Sequence, residues 1–328
     1  MTAVLFTCVG QRVDIGSAFG RAGAFTVAAD ANPLAPALYH ADRHALVPRI
    51  DDPGYVDALR RLVAEHDVRL VVPLTDLDQH ILAAADLGAV ALVPDAAVCE
   101  AMADKWAAQE LFLERGIGTP DGWLPGALPE PVPYPVLVKA RVGFGSRNIF
   151  RCTSREELDF HLARTPVDSF VQAVCRGEEF SIDVFCDLET RCLNAIPRTM
   201  IESKGGESIK GMTIRDEELI AFGARVAETV GIKGPANVQC FREPDGRLLV
   251  TDLNPRFGGG FPLPHAAGGR YPELAIALAN GERPEPRLGA FREGVVMTRF
   301  FSQLTLVAGD DGTLVPFSEE LPQPIAEP

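Results

Sequence analysis

An alternating run and an apolar run, separated by an Asp-Gly step, limit the fold of this 328-residue chain more than any other feature. Residues 237–241 (Asn-Val-Gln-Cys-Phe) alternate polar and apolar side chains, and an apolar run resumes at residues 248–250. Asp-Gly between two such runs is a strong β-hairpin signal. With Asp245 and Gly246 as the two turn residues, the chain doubles back into a pair of antiparallel strands.

The same hairpin gathers polar side chains on one face. Its register places Gln239 opposite Asp252 and Asn237 opposite Asn254, because residues two apart in a strand point to the same side. Arg256 follows directly after the second strand. Carboxylate and amide oxygens beside a guanidinium suit Mg²⁺ and phosphate rather than zinc or haem. A solvated outer face of an antiparallel sheet is the alternative interpretation.

Composition excludes several classes of protein. The net charge of -14 and the pI near 4.9 argue against general nucleic-acid binding, which needs a basic surface. The seven cysteines are scattered and lack zinc-site spacing, as is typical of small core residues in a reducing compartment. No apolar run resembles a signal peptide or reaches transmembrane length. We therefore expect a cytoplasmic protein without membrane or nucleic-acid partners.

The order of strand and helix signals divides the chain into units. Residues 1–100 alternate four strands with helices, which predicts a small parallel α/β domain. Residues 101–175 and 176–310 carry two further folded parts with mixed α and β signals, and a helical pattern over residues 95–115 leads into them. Residues 311–328, rich in Pro and Glu, are expected to form a poorly ordered tail.

A glycine loop between two strand signals carries candidate phosphate-binding residues. Lys139 lies near the end of the first strand, and Gly143, Gly145 and Ser146 follow in the loop. Glycine lets backbone N–H groups approach an anion closely, and the lysine supplies positive charge. The loop does not match the Walker pattern, so a plain hairpin turn stays open as the alternative.

A polar, glycine-rich segment separates two apolar stretches at residues 197–208. It carries Arg198 and Lys204, and its composition predicts a mobile loop. A lid that closes over phosphates is one interpretation, and an ordinary solvated loop is the other.

Taken in order, these motifs resemble those of ATP-grasp enzymes, in particular the ATP-binding unit of the carbamoyl-phosphate synthetase large chain and its stand-alone relatives. The resemblance covers residues 1–300. It implies a parallel α/β domain followed by a two-lobed ATP-grasp fold. It also implies ATP as cofactor, with Mg²⁺ or Mn²⁺. The motifs that carry it are Lys105, Lys139 with its glycine loop, residues 172–179, Gln239 and Asp252-Leu253-Asn254-Pro255-Arg256.

The resemblance implies a role for each matching position. The expected ATP-binding residues are Lys105, Lys139, Gly143, Gly145, Ser146, Gln172, Ala173, Val174 and Glu179. The expected metal ligands are Gln239, Asp252 and Asn254, and the expected catalytic residues are Arg256, Arg198 and Lys204. Relatives most often carry Glu at the position of Asp252. Because Asp is one methylene shorter, the sequence leaves open whether one or two metal ions bind.

The implied activity is an ATP-dependent carboxylate–amine ligase, which forms an amide or peptide bond through an acyl phosphate and releases ADP and phosphate. Phosphoryl transfer needs positioning and charge neutralisation rather than a protein nucleophile. Phosphorylation of bicarbonate or carbamate is one alternative, and a non-catalytic nucleotide-binding module is another. Small carboxylates and amines, amino acids among them, are the expected partners, and a homodimer is left open. Candidate specificity residues lie near Gln11, Asp76 and residues 257–265.

Overall fold

The computed structural model describes residues 1–143, 148–204, 207–300, 302–310 and 312–317. Within these ranges the chain forms a five-stranded parallel sheet, a four-stranded sheet, a six-stranded antiparallel sheet and a two-stranded ribbon. The expected fold class, a parallel α/β domain followed by antiparallel sheets, is confirmed. No helix within these ranges has the length and apolar character needed to cross a membrane.

The N-terminal domain is built on the parallel sheet, in the strand order β3-β2-β1-β4-β5. Its strands are β1 (Ala3–Thr7), β2 (Phe25–Asp30), β3 (Arg43–Leu46), β4 (Val68–Pro73) and β5 (Val90–Ala91). Its helices are α1 (Val13–Arg21), α2 (Tyr55–Glu65) and α3 (Gln79–Ala84). The sequence predicted four strands and missed β3, because this exposed edge strand lacks an apolar run.

The strand order of this sheet reverses between β1 and β4, which lie side by side at its centre. In open α/β sheets, ligands bind in the crevice at the carboxyl ends of the strands where the order reverses. The loops that follow β1 and β4 surround this crevice, and both contact the segment that follows the β-hairpin predicted above.

The small lobe comprises two helices and the four-stranded antiparallel sheet β6-β9-β7-β8, with a third helix beside it. Its elements are α4 (Ala96–Ala103), α5 (Lys105–Glu114), β6 (Gly122–Trp123), β7 (Val136–Ala140), β8 (Ile149–Cys152), α6 (Arg155–Arg164) and β9 (Ser169–Ala173). The single helical region predicted over residues 95–115 is divided at Asp104. That residue is extended and accepts hydrogen bonds from the backbone N–H groups of Trp106 and Ala107, so it begins a new helix.

The large lobe is the six-stranded sheet, in the order β14-β13-β10-β11-β12-β15, with α7 packed on one face. Its strands are β10 (Glu178–Cys186), β11 (Cys192–Lys204), β12 (Glu207–Thr213), β13 (Gly234–Arg242), β14 (Leu248–Asn254) and β15 (Val296–Thr298). Its helices are α7 (Glu217–Val230), α8 (Pro262–Ala266) and α9 (Tyr271–Ala279). Ile182, Val238 and Leu253 pack under α7, so the opposite sheet face is the one left for polar residues.

The prediction of a mobile loop over residues 197–208 is wrong for residues 197–204 and 207–208, which lie in two strands. Arg198 lies in β11 and is paired in register with Ser181 on one side and Thr213 on the other, and Ser208 lies in β12. Neighbouring strands on both sides satisfy the backbone polar groups of β11, so a polar composition does not require a loop here. Gly205 and Gly206, between β11 and β12, lie outside the described residues.

Part of the expected C-terminal tail is also ordered into a strand. β16 (Leu306–Ala308) pairs with β17 (Leu314–Pro316) in the two-stranded antiparallel ribbon. Residues 318–328 lie outside the described part of the chain.

A shared apolar core joins the N-terminal domain to the large lobe. Phe6 and Phe19 of the N-terminal domain belong to the same buried cluster as Phe257 and Phe261, which follow β14. The rings of Phe19 and Phe257 meet edge to face, with centroids 5.9 Å apart. Aromatic pairs of this kind bury much apolar surface, so the segment after β14 is anchored against the N-terminal domain.

Candidate active site

The β13–β14 hairpin brings the predicted polar pairs together. Gln239 lies opposite Asp252 and Asn237 lies opposite Asn254, as the sequence predicts. These side chains occupy the sheet face opposite α7. The interpretation of this face as an ordinary solvated surface is not supported, because Asn237 is buried and the others are partly covered.

The turn of this hairpin differs from the prediction. Glu243 N–H donates to the Arg247 carbonyl at 2.8 Å, and Gly246 has φ +87°, so the loop contains three residues rather than two. The longer loop moves the register by one residue. A β-bulge at Thr251 moves it back and turns Val250 towards the core under α7. Two departures from the predicted hairpin therefore cancel before the site is reached.

Asp252, Asn254 and Gln239 offer oxygen atoms on one face. The Asn254 amide Nδ2 donates to Asp252 Oδ2 at 3.0 Å, and the Gln239 side chain makes no hydrogen bond to the rest of the described chain. No group of three His, Cys, Asp or Glu side chains in the described ranges is placed as a metal site. One carboxylate and two amides nevertheless fit Mg²⁺, which is commonly held by one or two carboxylates together with substrate phosphates and water.

Arg256 connects this face to the N-terminal domain. Its guanidinium donates to Asn254 Oδ1 at 3.2 Å and to the Phe257 carbonyl at 3.3 Å. Its Nε lies 3.3 Å from Asp76 Oδ2, in the loop after β4. The side chain is 20% exposed, so the guanidinium is held in place on three sides yet remains accessible to a ligand.

Two loops of the N-terminal domain hold the segment that follows β14. The Gln79 amide donates to the Pro255 carbonyl at 2.8 Å. Arg12 donates to the carbonyls of Phe257 and Gly258, both at 3.1 Å. These contacts reach the segment from the carboxyl ends of β4 and β1. The crevice of the N-terminal domain therefore opens directly beside the hairpin site.

A buried polar network lies beside the metal-ligand candidates on the same face. Arg198 Nε donates to Asp183 Oδ2 at 2.7 Å, and the two side chains are only 2% and 4% exposed. Asn237 Nδ2 donates to the other Asp183 oxygen at 3.0 Å. A Cβ at Gly260 would lie 2.4 Å from the Arg198 guanidinium carbon, so a glycine covers this arginine. Arg198 is thus enclosed within the large lobe instead of being carried on a lid.

Ser181 and Asp183 were not identified from the sequence, although a signal was present. In β10, Glu179, Ser181 and Asp183 alternate with buried apolar residues, so they occupy one face. The register then places Ser181 opposite both Arg198 and Gln239. The same period-two pattern that predicted the polar face of β13 and β14 would have predicted their position.

Lys139 approaches the hairpin from the small lobe. It is 7% exposed, and its Nζ donates to Gln172 Oε1 at 3.0 Å. Gln172 in turn donates to Gln109 Oε1 at 2.8 Å. Burial lowers the pKa of the Lys139 ammonium, and the Asp252 carboxylate opposes that shift. Gln109 was not identified from the sequence, because it lies in a different element and has no motif of its own.

Lys105 lies at the first position of α5 and faces the glycine loop. Its Nζ donates to the Gly143 carbonyl at 2.9 Å, and its backbone N–H donates to the Arg141 carbonyl. The two remaining predicted loop residues, Gly145 and Ser146, lie outside the described residues. The same holds for the side chain of Lys204.

The remaining ATP-site candidates lie where the chain passes from the small to the large lobe. Ala173 ends β9, Val174 follows it, and Glu179 is near the start of β10. Desolvation raises the pKa of the Glu179 carboxyl, and Lys139 and Arg198 oppose the shift. All three lie at the junction between the lobes.

A small cavity lies where the two lobes meet. It is lined by Lys105 and Gln109 of α5, Gln172 of β9, and Thr251 and Asp252 of β14. Lys105 of the small lobe therefore faces the Asp252 carboxylate of the large lobe across a narrow gap.

Comparison with protein families agrees with this geometry. Residues 165–300 match the model of an ATP-grasp family, described as ATP-grasp in the biosynthetic pathway with Ter operon. Residues 4–91 match the PylC-like N-terminal domain. The chain therefore has an ATP-grasp fold that follows a domain similar to the PylC-like N-terminal domain. The expected ATP-grasp fold is thereby confirmed.

Several solved structures share this fold at low identity. The biotin carboxylase domain dimer of Hydrogenobacter thermophilus 2-oxoglutarate carboxylase, solved with MgADP, ADP and bicarbonate, is 18% identical with a TM-score of 0.70 over 89% of this chain and 73% of that one. L-Amino acid ligase from Bacillus licheniformis is 19% identical, with a TM-score of 0.66 over 87% and 75% of the chains. N5-carboxyaminoimidazole synthetase from Staphylococcus aureus, solved with ADP, is 14% identical, with a TM-score of 0.67 over 88% and 79%.

Proposed function

We propose that this ATP-grasp protein is an ATP-dependent ligase that joins a carboxylate to an amine through an acyl phosphate and releases ADP and phosphate. One observation carries the proposal. Lys105 of the small lobe and Asp252 of the large lobe line the same small cavity, and the buried Lys139 donates to Gln172, which also lines it. A triphosphate bound between the two lobes would contact a cation on one side and metal-binding oxygens on the other.

The proposed mechanism divides the work among the residues that surround this gap. Lys105 and Lys139 would bind and orient the phosphates. Asp252 and Asn254, with Gln239, would hold Mg²⁺, which neutralises charge on the phosphate oxygens. A carboxylate is a poor electrophile, and transfer of the γ-phosphoryl group gives it a good leaving group that an amine can displace. The chain needs no nucleophile of its own for this chemistry.

Arg256 has the most specific role in this proposal. A guanidinium forms two parallel hydrogen bonds to phosphate or carboxylate oxygens. Held by Asn254 and Asp76, it would stabilise the negative charge that develops on the transferred phosphoryl group. The N-terminal loops that hold residues 255–258 would limit the access of water to the acyl phosphate.

Amino acids are the proposed substrate class. One solved neighbour is an L-amino acid ligase by name, and another was solved with bicarbonate. Both proteins are less than 25% identical to this chain, so their substrates enter here only as candidates. Bicarbonate phosphorylation is therefore the second function that an assay should include.

A screen of the standard amino acids in pairs tests the proposal. We expect ADP release to require a particular pair, with a product whose mass equals the sum of the two minus water. Hydroxylamine in place of the second amino acid should give a hydroxamate, because it captures acyl phosphates. ADP release that depends on bicarbonate alone would replace the ligase with the second function. Nucleotide binding without turnover under any of these conditions would contradict both.

Replacing Lys139 with alanine should weaken ATP binding. Loss of a hydrogen bond to a charged group costs about 1.5–3 kcal/mol, so the Kd for a fluorescent ATP analogue should rise about 10- to 100-fold. Lys233→Ala is the matched control, because Lys233 forms an ion pair with the exposed Asp95 away from the site. An unchanged Kd in Lys139→Ala would place the triphosphate elsewhere.

A further inference from the structure

A row of three buried polar side chains connects three elements of the small lobe. Lys139 of β7, Gln172 of β9 and Gln109 of α5 are only 7%, 3% and 3% exposed. The ammonium of Lys139 donates to Gln172 Oε1 at 3.0 Å, and Gln172 Nε2 donates to Gln109 Oε1 at 2.8 Å. The proposed mechanism assigns Lys139 to the phosphates and gives no role to Gln109.

The chemistry of the three groups fixes the direction of every hydrogen bond in the row. An ammonium only donates, so the atom of Gln172 that faces Lys139 must be its amide oxygen. The NH₂ group of Gln172 then faces Gln109. Because an amide NH₂ group also only donates, Gln109 must present its oxygen. The Gln109 oxygen is therefore the contact that keeps the Gln172 amide in the orientation that Lys139 requires.

A glycine in β6 leaves the space that the Gln109 amide occupies. Gly122 lies opposite Gln172 in the pairing of β6 with β9. A Cβ at Gly122 would collide with the Gln109 amide, and Nε2 is the nearest of its atoms. Gln109 is thus held between the helix that carries it and the backbone of β6, which limits the positions that its oxygen can take.

Lys139 depends on this arrangement because it is a buried cation with neutral partners. Among the described residues, its ammonium has an amide oxygen as hydrogen-bond partner and forms no ion pair. Its other close contact is the Phe170 ring, whose centroid lies 5.9 Å from Nζ. Burial lowers the pKa of Lys139. The Gln172 oxygen stabilises the charged form, which is the form that attracts phosphate.

We propose that Gln109 is a positioning residue for nucleotide binding, because it holds the Gln172 amide with its oxygen towards Lys139 and so keeps the ammonium charged and in place. This inference rests on the proposed function, in which Lys139 binds the phosphates of ATP. It adds a residue from outside the motifs, which acts through Gln172 and does not need to contact ATP itself.

Two substitutions at Gln109 in the full-length chain test the inference. Gln109→Leu removes the acceptor at similar size, and the Kd for a fluorescent ATP analogue should rise about 5- to 10-fold, the worth of one hydrogen bond. Gln109→Glu keeps an oxygen in the same position and should recover the affinity to within about 2-fold. Asn194→Leu is the control, because it also removes a buried amide, in β11, where Asn194 donates to the Ala290 carbonyl.

A third variant approaches the same amide from the neighbouring strand. Gly122→Ala places a methyl group against Gln109 and leaves Gln109, Gln172 and Lys139 unchanged. It should raise the Kd in the same direction as Gln109→Leu. If Gln109→Leu does not fold, an unchanged Kd in Gly122→Ala is sufficient to reject the inference.

A double variant shows whether Gln109 acts through Lys139. In the Lys139→Ala background, Gln109→Leu should raise the Kd by less than about 2-fold, because the group that it positions is already absent. A side chain that only supports the fold of the small lobe would raise the Kd by the same factor in both backgrounds.

The pH dependence of binding gives an independent measurement. Affinity for the analogue falls as pH rises through the pKa of Lys139 in the free protein. Loss of the oriented oxygen lowers that pKa further, so the fall in affinity should begin at lower pH in Gln109→Leu. Lys105, Asp252, Cys175 and Glu179 also act on this pKa, and all four are present in both proteins. A structural defect alone would reduce affinity by one factor at every pH.

Three results would overturn the inference and leave the ligase function intact. They are an unchanged Kd in Gln109→Leu, equal losses in Gln109→Leu and Gln109→Glu, and equal factors with and without Lys139. If Lys139→Ala itself binds the analogue normally, the proposed nucleotide site fails first, and the inference fails with it.

Discussion

Replacing Arg256 with alanine should reduce product formation by about 10³-fold or more, because an arginine that stabilises a transferring phosphoryl group contributes on that scale. The Kd for ATP should change by less than about 3-fold, because Lys105 and Lys139 neutralise charge on the triphosphate in the ground state. Comparing the change in kcat/KM with the change in the Kd for nucleotide separates these two effects. Isothermal titration with a non-hydrolysable ATP analogue gives the second quantity.

The geometry explains why the effect should fall on the reaction rather than on binding. Arg256 donates to Asn254 and to the Phe257 carbonyl and lies against Asp76, so it is positioned before any ligand arrives. Preorganised charge is most effective where negative charge develops in the transition state. Truncation to alanine also leaves Asp76 without its ion-pair partner. The variant therefore changes the charge of the site as well as its affinity for ligand.

Two controls make the Arg256 result interpretable. Arg247→Ala removes an exposed arginine of the same hairpin, where it pairs with Asp245, and should leave turnover within about 2-fold of normal because such surface pairs contribute little. Arg256→Lys keeps the charge but loses the planar fork and should recover only part of the activity. Near-normal turnover in Arg256→Ala would refute its assigned role.

The fold could be predicted where local patterns are strong. The parallel strands of the N-terminal domain are buried apolar runs, and α2 has clear helical periodicity, so both follow from the sequence. The register of the metal-ligand candidates was also predicted correctly, although for an incomplete reason. A three-residue loop and the bulge at Thr251 offset each other, and neither leaves a distinct signal in the sequence.

The errors arose where tertiary contacts override local composition. Residues 197–208 are polar and contain glycine, which is typical of loops, yet β10 and β12 pair with the described part of this segment on both sides. At Asp104, an ion pair with Arg141 and two backbone N–H donors hold the pKa below its usual range although burial opposes this. Those contacts divide a helix that looks continuous in sequence. The helical periodicity of residues 95–115 does not reveal these contacts of Asp104.

The parts of the candidate site that escaped prediction come from distant segments. Asp76 was identified only as a specificity candidate, and its contact with Arg256 joins residues 180 positions apart. Arg12 and Gln79 reach the same segment because β1 and β4 are neighbours in the sheet, which the order along the chain does not reveal. A single sequence identifies the ligand-bearing motifs, but it does not specify which loops face them.

Replacing Asp183 with alanine should reduce the stability of the fold more than the substitutions at Lys139 or Arg256. Arg198 and Asp183 form a buried ion pair at 2.7 Å, and both are almost completely inaccessible to water. Removing one partner leaves an uncompensated buried charge, which costs about 3–5 kcal/mol. The midpoint of urea unfolding, followed by circular dichroism, should fall accordingly. Asn237 would also lose an acceptor at Asp183 Oδ1.

An exposed ion pair provides the control for Asp183→Ala. Asp159 pairs with Arg155 on α6 at 2.9 Å, with both side chains more than half exposed, so Asp159→Ala should cost less than about 1 kcal/mol. Each variant removes the carboxylate partner of an arginine. The difference between their losses of unfolding free energy therefore measures the effect of burying the pair. Equal effects would show that burial does not make the Arg198–Asp183 pair special.

A double variant distinguishes the stability of the pair from its role in the site. Asp183→Leu with Arg198→Met removes both charges and should recover part of the lost stability, because the penalty in the single variant comes from the arginine left behind. If the network only supports the sheet, the double variant should retain nucleotide binding and turnover in proportion to its folded fraction. If Arg198 also contacts substrate, turnover should stay about 10²-fold below normal even where the double variant is fully folded.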